Sequence, residues 1–234
     1  MEGLRKVGSP GDFAASYYQQ GADELLFMDA VASLYQRDNL LNIVQSIAQQ
    51  VFVPITVGGG VRSCEDFELL LRSGADKVAV NTAALASPGL ITELANRFGS
   101  QSVVLSVEAQ TTDSHTWEAM TNNGRQRSGK CALNWIAEGT QRGAGEVLIT
   151  SVNQEGTRRG FDTALMTEAA RKVTTPVIAS GGFGQVDHLR LLLQEADVSG
   201  IAFADALHFK RFSLQDIKDE IRQFGFKVRD DHLV

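Results

Sequence analysis

Two glycine clusters, Gly58-Gly59-Gly60 and Gly181-Gly182, each close an apolar run and open an amphipathic one. A strand-to-helix turn built of glycine leaves backbone N–H groups unshielded, and the dipole of the following helix favours an anion there. One such turn is ordinary punctuation. Here VPITVGGG at 53–60 resembles TPVIASGG at 175–182, and GADELLF at 21–27 resembles GAGEVLI at 143–149, both at an offset of 122. A shared offset in separate blocks signals a duplicated half. Two cradles on opposite sides of a duplicated frame suit a substrate carrying a phosphate at each end.

The elements that must hold those turns are legible as alternating patterns. Apolar runs lie at 24–30, 51–57, 77–81, 102–107, 146–151, 175–180 and 199–204. Between them run helical patterns at 12–20, 39–50, 64–73, 88–98, 131–142, 162–173, 186–195 and 213–224. Strands without polar alternation, each followed by a helix, describe a parallel sheet covered by helices. The duplication selects a (βα)8 TIM barrel over a doubly wound sheet, with glycine turns at the C-terminal face where barrel sites are built. The spacing predicts one domain over 1–234, with half-barrels at about 1–110 and 111–234. Eight helices accompany only seven strands, so one barrel strand, the first, is not represented.

Composition narrows the partners. The 234 residues are 43% hydrophobic and 21% charged, ordinary values for a packed core. A formal charge of −6 gives no basic footprint for nucleic acid or an anionic membrane. No apolar run approaches the ~18 residues of a membrane span, and MEGLRKVGSPGDF lacks a signal-peptide core. Cys64 and Cys131 read as reduced structural thiols, and no His/Asp/Glu cluster has metal-ligand spacing. The expectation is a cytoplasmic protein without metal or cofactor.

FVPITVGGGVRS, SGADKVAVNTAA, RFGSQSVVLSVEA, RGAGEVLITSVNQEGTRRGFD and PVIASGGFG resemble the cyclase subunit of imidazole glycerol phosphate synthase, from about Leu4 to Arg229. The resemblance implies a (βα)8 barrel and a lyase of histidine biosynthesis. In that family ammonia, passed through the barrel from a glutaminase subunit in a heterodimer, splits and cyclises a formimino-linked bisphosphate nucleotide. Carried over by position, it implies one phosphate site at Gly60, Asn81 and Thr82. The opposite one would use Gly156, Gly182 and Ala204, with Thr150 and Ser151 lining the ring between and Asp29 at the mouth. Glu24, Lys77 and Glu146 match the ring of charges gating ammonia at the bottom face, and Asp76 a residue facing the glutaminase. Glu108 stands at the second catalytic carboxylate.

Three departures qualify that match. The family's first strand, with its catalytic Asp and a loop Lys, has no counterpart in the chain; a late start or a shortened chain explains this better than a true seven-stranded barrel. Glu108 replaces an Asp and Gln110 a Lys, moving the carboxylate outward by about one methylene, and a ~1 Å misplacement can cost on the order of 10²-fold in rate. Glu108 is then a weakened acid/base or an ordinary acid in a degenerate site. Asp205 replaces a Ser at the second phosphate site, where an ionised carboxylate would repel the ligand, and Glu155 replaces an Asp. An eroded mouth over a kept gate leaves an alternative: a paralogue that channels ammonia to a sugar amidotransferase in surface polysaccharide synthesis. HTWEAMTNNGRQRSG at 115–129 matches a hairpin over the mouth, turned at Asn123-Gly124, with Arg125 and Arg127 on it. His208 reads as a structural histidine, and Trp117 and Trp135 as packing residues.

Overall fold

The computed structural model describes residues 8–29, 38–113 and 115–229. Leu4, where the resemblance begins, and Ala30, the end of the first apolar run, lie outside them. Each apolar run becomes a parallel strand: β1 (Leu25–Met28), β2 (Ile55–Gly58), β3 (Lys77–Val80), β4 (Val103–Asp113), β7 (Glu146–Ser151), β8 (Val177–Ser180) and β9 (Gly200–Ala202). They hydrogen-bond in that order. The hairpin strands β5 (Thr116–Thr121) and β6 (Gln126–Cys131) branch antiparallel from the long end of β4. Sequential parallel strands with helical crossovers give the TIM-barrel architecture.

Ten helices surround the strands among the described residues, two more than the periodicity predicts. Eight match the expected spans within two residues: α1 (Pro10–Gln19), α2 (Asp38–Ala48), α3 (Cys64–Arg72), α5 (Gly89–Phe98), α6 (Ala132–Gln141), α7 (Thr163–Lys172), α8 (Val186–Glu195) and α10 (Leu214–Gln223). The additional α4 (Thr82–Ala86) and α9 (Asp205–His208) are too short to show a helical period. Their starts are set by side chains in several cases. Ser63 Oγ accepts from Asp66 N at α3, Asp162 from Leu165 N at α7, and Ser213 forms a full capping box with Asp216 at α10.

The core lies between helices and strands. Phe67, Ile91, Leu94, Leu105, Trp135, Ile149, Leu165 and Leu189 are almost wholly buried there, each contributing roughly 1.5–3 kcal/mol. Strand alternation sends the other face into the lumen, where Ala79, Val104 and Leu148 pack with Ile178 and Ala202 in a second, smaller cluster.

Among the described residues no ladder joins β9 to β1, and Leu26 and Met28 on β1 are 40% and 46% exposed. The outer layer nevertheless bridges that interval. Tyr17 on α1 shares a 2.6 Å hydrogen bond with His208 Nδ1, and Lys218 on α10 donates to Gly21 O at 2.6 Å and Asp23 Oδ1 at 3.1 Å. His208 thus serves the packing of α1 against α9.

Candidate active site

The lumen has a charged floor and a polar mouth. At the floor, Lys77 opens β3 and its Nζ lies 2.9 and 2.8 Å from the oxygens of Glu24, and 3.2 and 2.9 Å from those of Glu146. Burial works against the ammonium, but the two carboxylates outweigh it and hold its pKa above the usual value. The three expected gate residues therefore meet in one ion triad. Asp76 is exposed beside it, and its Oδ2 accepts from Ile55 N at 2.8 Å while its own N–H donates to Ile55 O. That carboxylate ties β3 to β2 as well as facing out.

Above the floor, two buried hydroxyls stand on the lumen face, Thr56 and Ser106. They were not anticipated; the period-2 alternation with Lys77 and Glu108 is the signal that locates them.

At the mouth, Glu108 sits on β4 in register with Thr150 on β7, which in turn pairs with Ser180 on β8. Glu108 is half-buried, and its Oε2 accepts from Asn81 Nδ2 at 2.9 Å and from Gly124 N at 2.8 Å. Among the described residues no hydrogen bond reaches Oε1. Desolvation lifts the Glu108 carboxyl above the usual carboxylate range, against the two donors that pull it down. It is thus no freely solvated surface acid. The second donor comes from the hairpin, whose tip is a four-residue loop rather than the two-residue turn expected. Asn122, Asn123 and Gly124 take left-handed φ of 52°, 58° and 72° in succession. Arg127 on β6 lies 3.8 Å from Glu118, an ion pair within the hairpin.

At the first cradle, Gly60 follows the end of β2, and Asn81 and Thr82 follow the end of the neighbouring β3, the two strands pairing Gly58 with Ala79. A side chain at Gly59 would put its Cβ 2.3 Å from Asp29 O, and φ is +104°, so glycine is required for β1 and the turn to meet. Asp29 is half-buried at the top of β1, its N–H donating to Gly58 O at 2.9 Å. Thr82 opens α4, and its Oγ1 accepts from Asn122 N at 3.1 Å.

At the second cradle, Gly156, Gly182 and Ala204 follow the ends of the neighbouring strands β7, β8 and β9. Gly160 N donates to Gly182 O at 2.9 Å, and a Cβ on Gly182 would fall 2.0 Å from Gly160 O. Two expectations change here. Ser151 does not line the ring with Thr150: alternation turns it to the helix side, fully buried, with Oγ 3.5 Å from Asp162 Oδ2. That Asp162 oxygen also accepts from Trp117 Nε1 at 2.9 Å. Asp205 is not a bare repelling charge. Arg158 grips it through Nε at 2.8 Å and Nη2 at 3.2 Å, and Arg211 Nη2 reaches the same carboxylate. The Arg158 bond foremost, then Arg211, holds the Asp205 carboxyl below the usual range despite opposing desolvation. Sequence reasoning passed over both arginines, although Arg158 lies inside the quoted loop motif.

Among the described residues no group of three or more His, Cys, Asp and Glu could hold a metal ion, and no helix is long and apolar enough to cross a membrane.

Residues 2–213 match the family described as histidine biosynthesis protein. The chain is 57% identical over 187 residues to imidazole glycerol phosphate synthase subunit HisF of Legionella pneumophila, covering 80% of this chain and 88% of that protein. It is 44% identical over 235 residues to the HisF subunit of Mycobacteroides abscessus, covering 98% and 91%. With that of Streptococcus sanguinis it shares 41% over 226 residues, covering 97% and 90%.

Proposed function

Because the chain belongs to the histidine-biosynthesis family as a HisF-type cyclase subunit of imidazole glycerol phosphate synthase, we propose that its barrel mouth performs the ammonia-dependent cyclase/lyase step with Glu108 as general acid/base. The substrate is the phosphoribulosyl-formimino aminoimidazole carboxamide ribotide and the ring-closed product imidazole glycerol phosphate. Adding ammonia to an electrophilic carbon and splitting a carbon–nitrogen bond require one group that accepts a proton from the entering nitrogen and returns one to the departing nitrogen. A carboxylate whose pKa burial raises is a stronger base than an ordinary one, and its acid is slower to lose the proton it must return, which suits that exchange.

The observation that carries this reading is the asymmetric hold on Glu108: two donors on Oε2 and none among the described residues on Oε1. The anchored oxygen fixes the carboxylate plane, and the other is left to the reacting atoms. Asn81 therefore positions Glu108 while its backbone joins Gly60 and Thr82 at one phosphate. The N–H from Asn122 occupies a lone pair of Thr82 Oγ1, leaving the hydroxyl proton for that phosphate. Gly156, Gly182 and Ala204 take the other phosphate, and Thr150 and Asp29 border the sugar between.

Ammonia enters at the far end. A glutaminase subunit docks on the face bearing Asp76, in a cytoplasmic heterodimer, and the Lys77 triad keeps bulk water out of the lumen until that partner opens it. Thr56 and Ser106 offer hydroxyls along the way. Residues about 1–110 and 111–234 then act as two half-barrels of one domain. A paralogue that only passed ammonia to a sugar amidotransferase would keep the triad but have no use for a doubly anchored Glu108. The relatives named above are each imidazole glycerol phosphate synthase subunit HisF.

The test is turnover of the formimino bisphosphate nucleotide by the purified chain with an ammonium salt. Formation of imidazole glycerol phosphate is the expected result; a folded protein that forms none overturns the reading.

A further inference from the structure

The two short helices at the mouth begin in nearly the same conformation. Asn81 precedes α4 with φ −134° and ψ −88°, and Ala204 precedes α9 with φ −130° and ψ −75°. Thr82 and Asp205 are thus equivalent residues, one a hydroxyl and the other a carboxylate. Asp205 joins two guanidiniums from separate elements: Arg158 on the loop after β7, and Arg211 following α9. Arg211 also donates to Asp205 O at 3.2 Å. Arg158 holds φ at +59°, a left-handed conformation that non-glycine residues rarely adopt, so its direction is set by the loop and not by default.

A carboxylate bridging two guanidiniums beside Gly156 and Gly182 offers them what a phosphate would: paired oxygens and negative charge. We infer that Arg158 and Arg211 form the cationic clamp for the substrate's second phosphate, and that Asp205 is their internal occupant, displaced when a phosphate monoester binds. This rests on the bisphosphate reading above for its substrate, but the clamp itself would take any phosphate monoester. The side chains involved are a third to a half exposed (Arg158 49%, Arg211 33%, Asp205 34%), so Asp205 can rotate away without opening the core. Glu155 is the other carboxylate in the cluster; desolvation and the charge of Asp205 raise its pKa. The two guanidiniums offset the charge of Asp205, which explains how a carboxylate is tolerated at a phosphate cradle.

The experiment titrates inorganic phosphate and ribose 5-phosphate into the full chain, following the backbone amides of Gly182 and Gly60 by NMR as separate reporters of the two cradles. Asp205→Asn should tighten binding at the Gly182 reporter about ten-fold by removing a competing charge, and Arg158→Gln or Arg211→Gln should weaken it about ten-fold. The Gly60 reporter should not move in any of these variants. Asp205→Ser and Arg158→Lys serve as second variants if melting curves show the first to be damaged. Weaker or unchanged binding in both Asp205 variants, or wild-type binding in the arginine variants, would reduce the cluster to a structural tie and overturn the inference. Its failure is separable from that of the cyclase reading: a clamp that binds phosphate in a protein without turnover sinks only the latter, and turnover with no response in these titrations sinks only the former.

Discussion

The two cradles at the mouth share a backbone and differ in chemistry. In the first, the groups we propose for phosphate binding are uncharged: glycine N–H groups, Asn81, and Thr82 already oriented by the hairpin through Asn122. In the second, Arg158, Arg211, Asp205 and Glu155 crowd the same relative place. A neutral, preoriented donor set needs no rearrangement to receive an anion, whereas an internally paired clamp must exchange one partner for another. Duplication conserved where the chain turns and left open how charge is supplied. Glu108 lies between them, at the β4–β7 seam that joins the halves.

That division can be broken most severely at the seam. Glu108→Gln should lower kcat/KM for the ammonium-dependent reaction by about 10²–10⁴, while both cradles still bind phosphate in the NMR titration; retained turnover would remove Glu108 from the chemistry. Next, Thr82→Asp gives the first cradle the carboxylate of the second without its arginines. KM should rise by roughly 10–10² and the Gly60 reporter should fall silent; a harmless Thr82→Asp would mean that the charge at that residue is irrelevant in either half. A gentler distinction comes from salt. Raising ionic strength from about 0.05 to 0.5 M should weaken the arginine cradle several-fold more than the neutral one, because only the former relies on partly exposed charges. Equal sensitivity in the two reporters would erase the contrast.

The smallest effect concerns stability. The folded pKa of Glu108 is raised. Below the ordinary carboxylate range both folded and unfolded chains carry its proton and no difference arises. As pH climbs from that range through the raised value, the unfolded chain releases a proton the folded one keeps, so stability falls. Glu108→Gln escapes that loss. Its melting temperature should therefore exceed that of the wild type at neutral pH and converge on it in acid, as followed by circular dichroism across pH.

The strands were legible because each appears as an apolar run without polar alternation, even in β1, where Leu26 and Met28 stay exposed. α4 and α9 were not, since four or five residues give no period. The cradle glycines could be located by their repeat, and the floor triad by the matched Glu24 and Glu146. What escaped were relations across the fold. Asn81 and Glu108 are far apart in sequence, and so are Arg158 and Asp205, and no local pattern joins either pair. Ser151 shows the reverse fault: its neighbour Thr150 does face the ring, and one residue along a strand inverts the side. Asp205 was read by its charge alone, without the partners that neutralise it.

The Lys77 triad has a geometric consequence beyond its charge. β3 is two strands removed from β1 on one side and from β7 on the other. In a flat sheet, Glu24 and Glu146 would stand about 10 Å to either side of the lysine's strand and roughly twice that from each other. One nitrogen within 3.2 Å of oxygens from both is reached easily only when five successive strands have rolled up. The triad therefore gauges curvature: it can close only late in folding, and a one-residue slip of β3 would turn Lys77 outward among the helices and leave two carboxylates facing each other uncompensated.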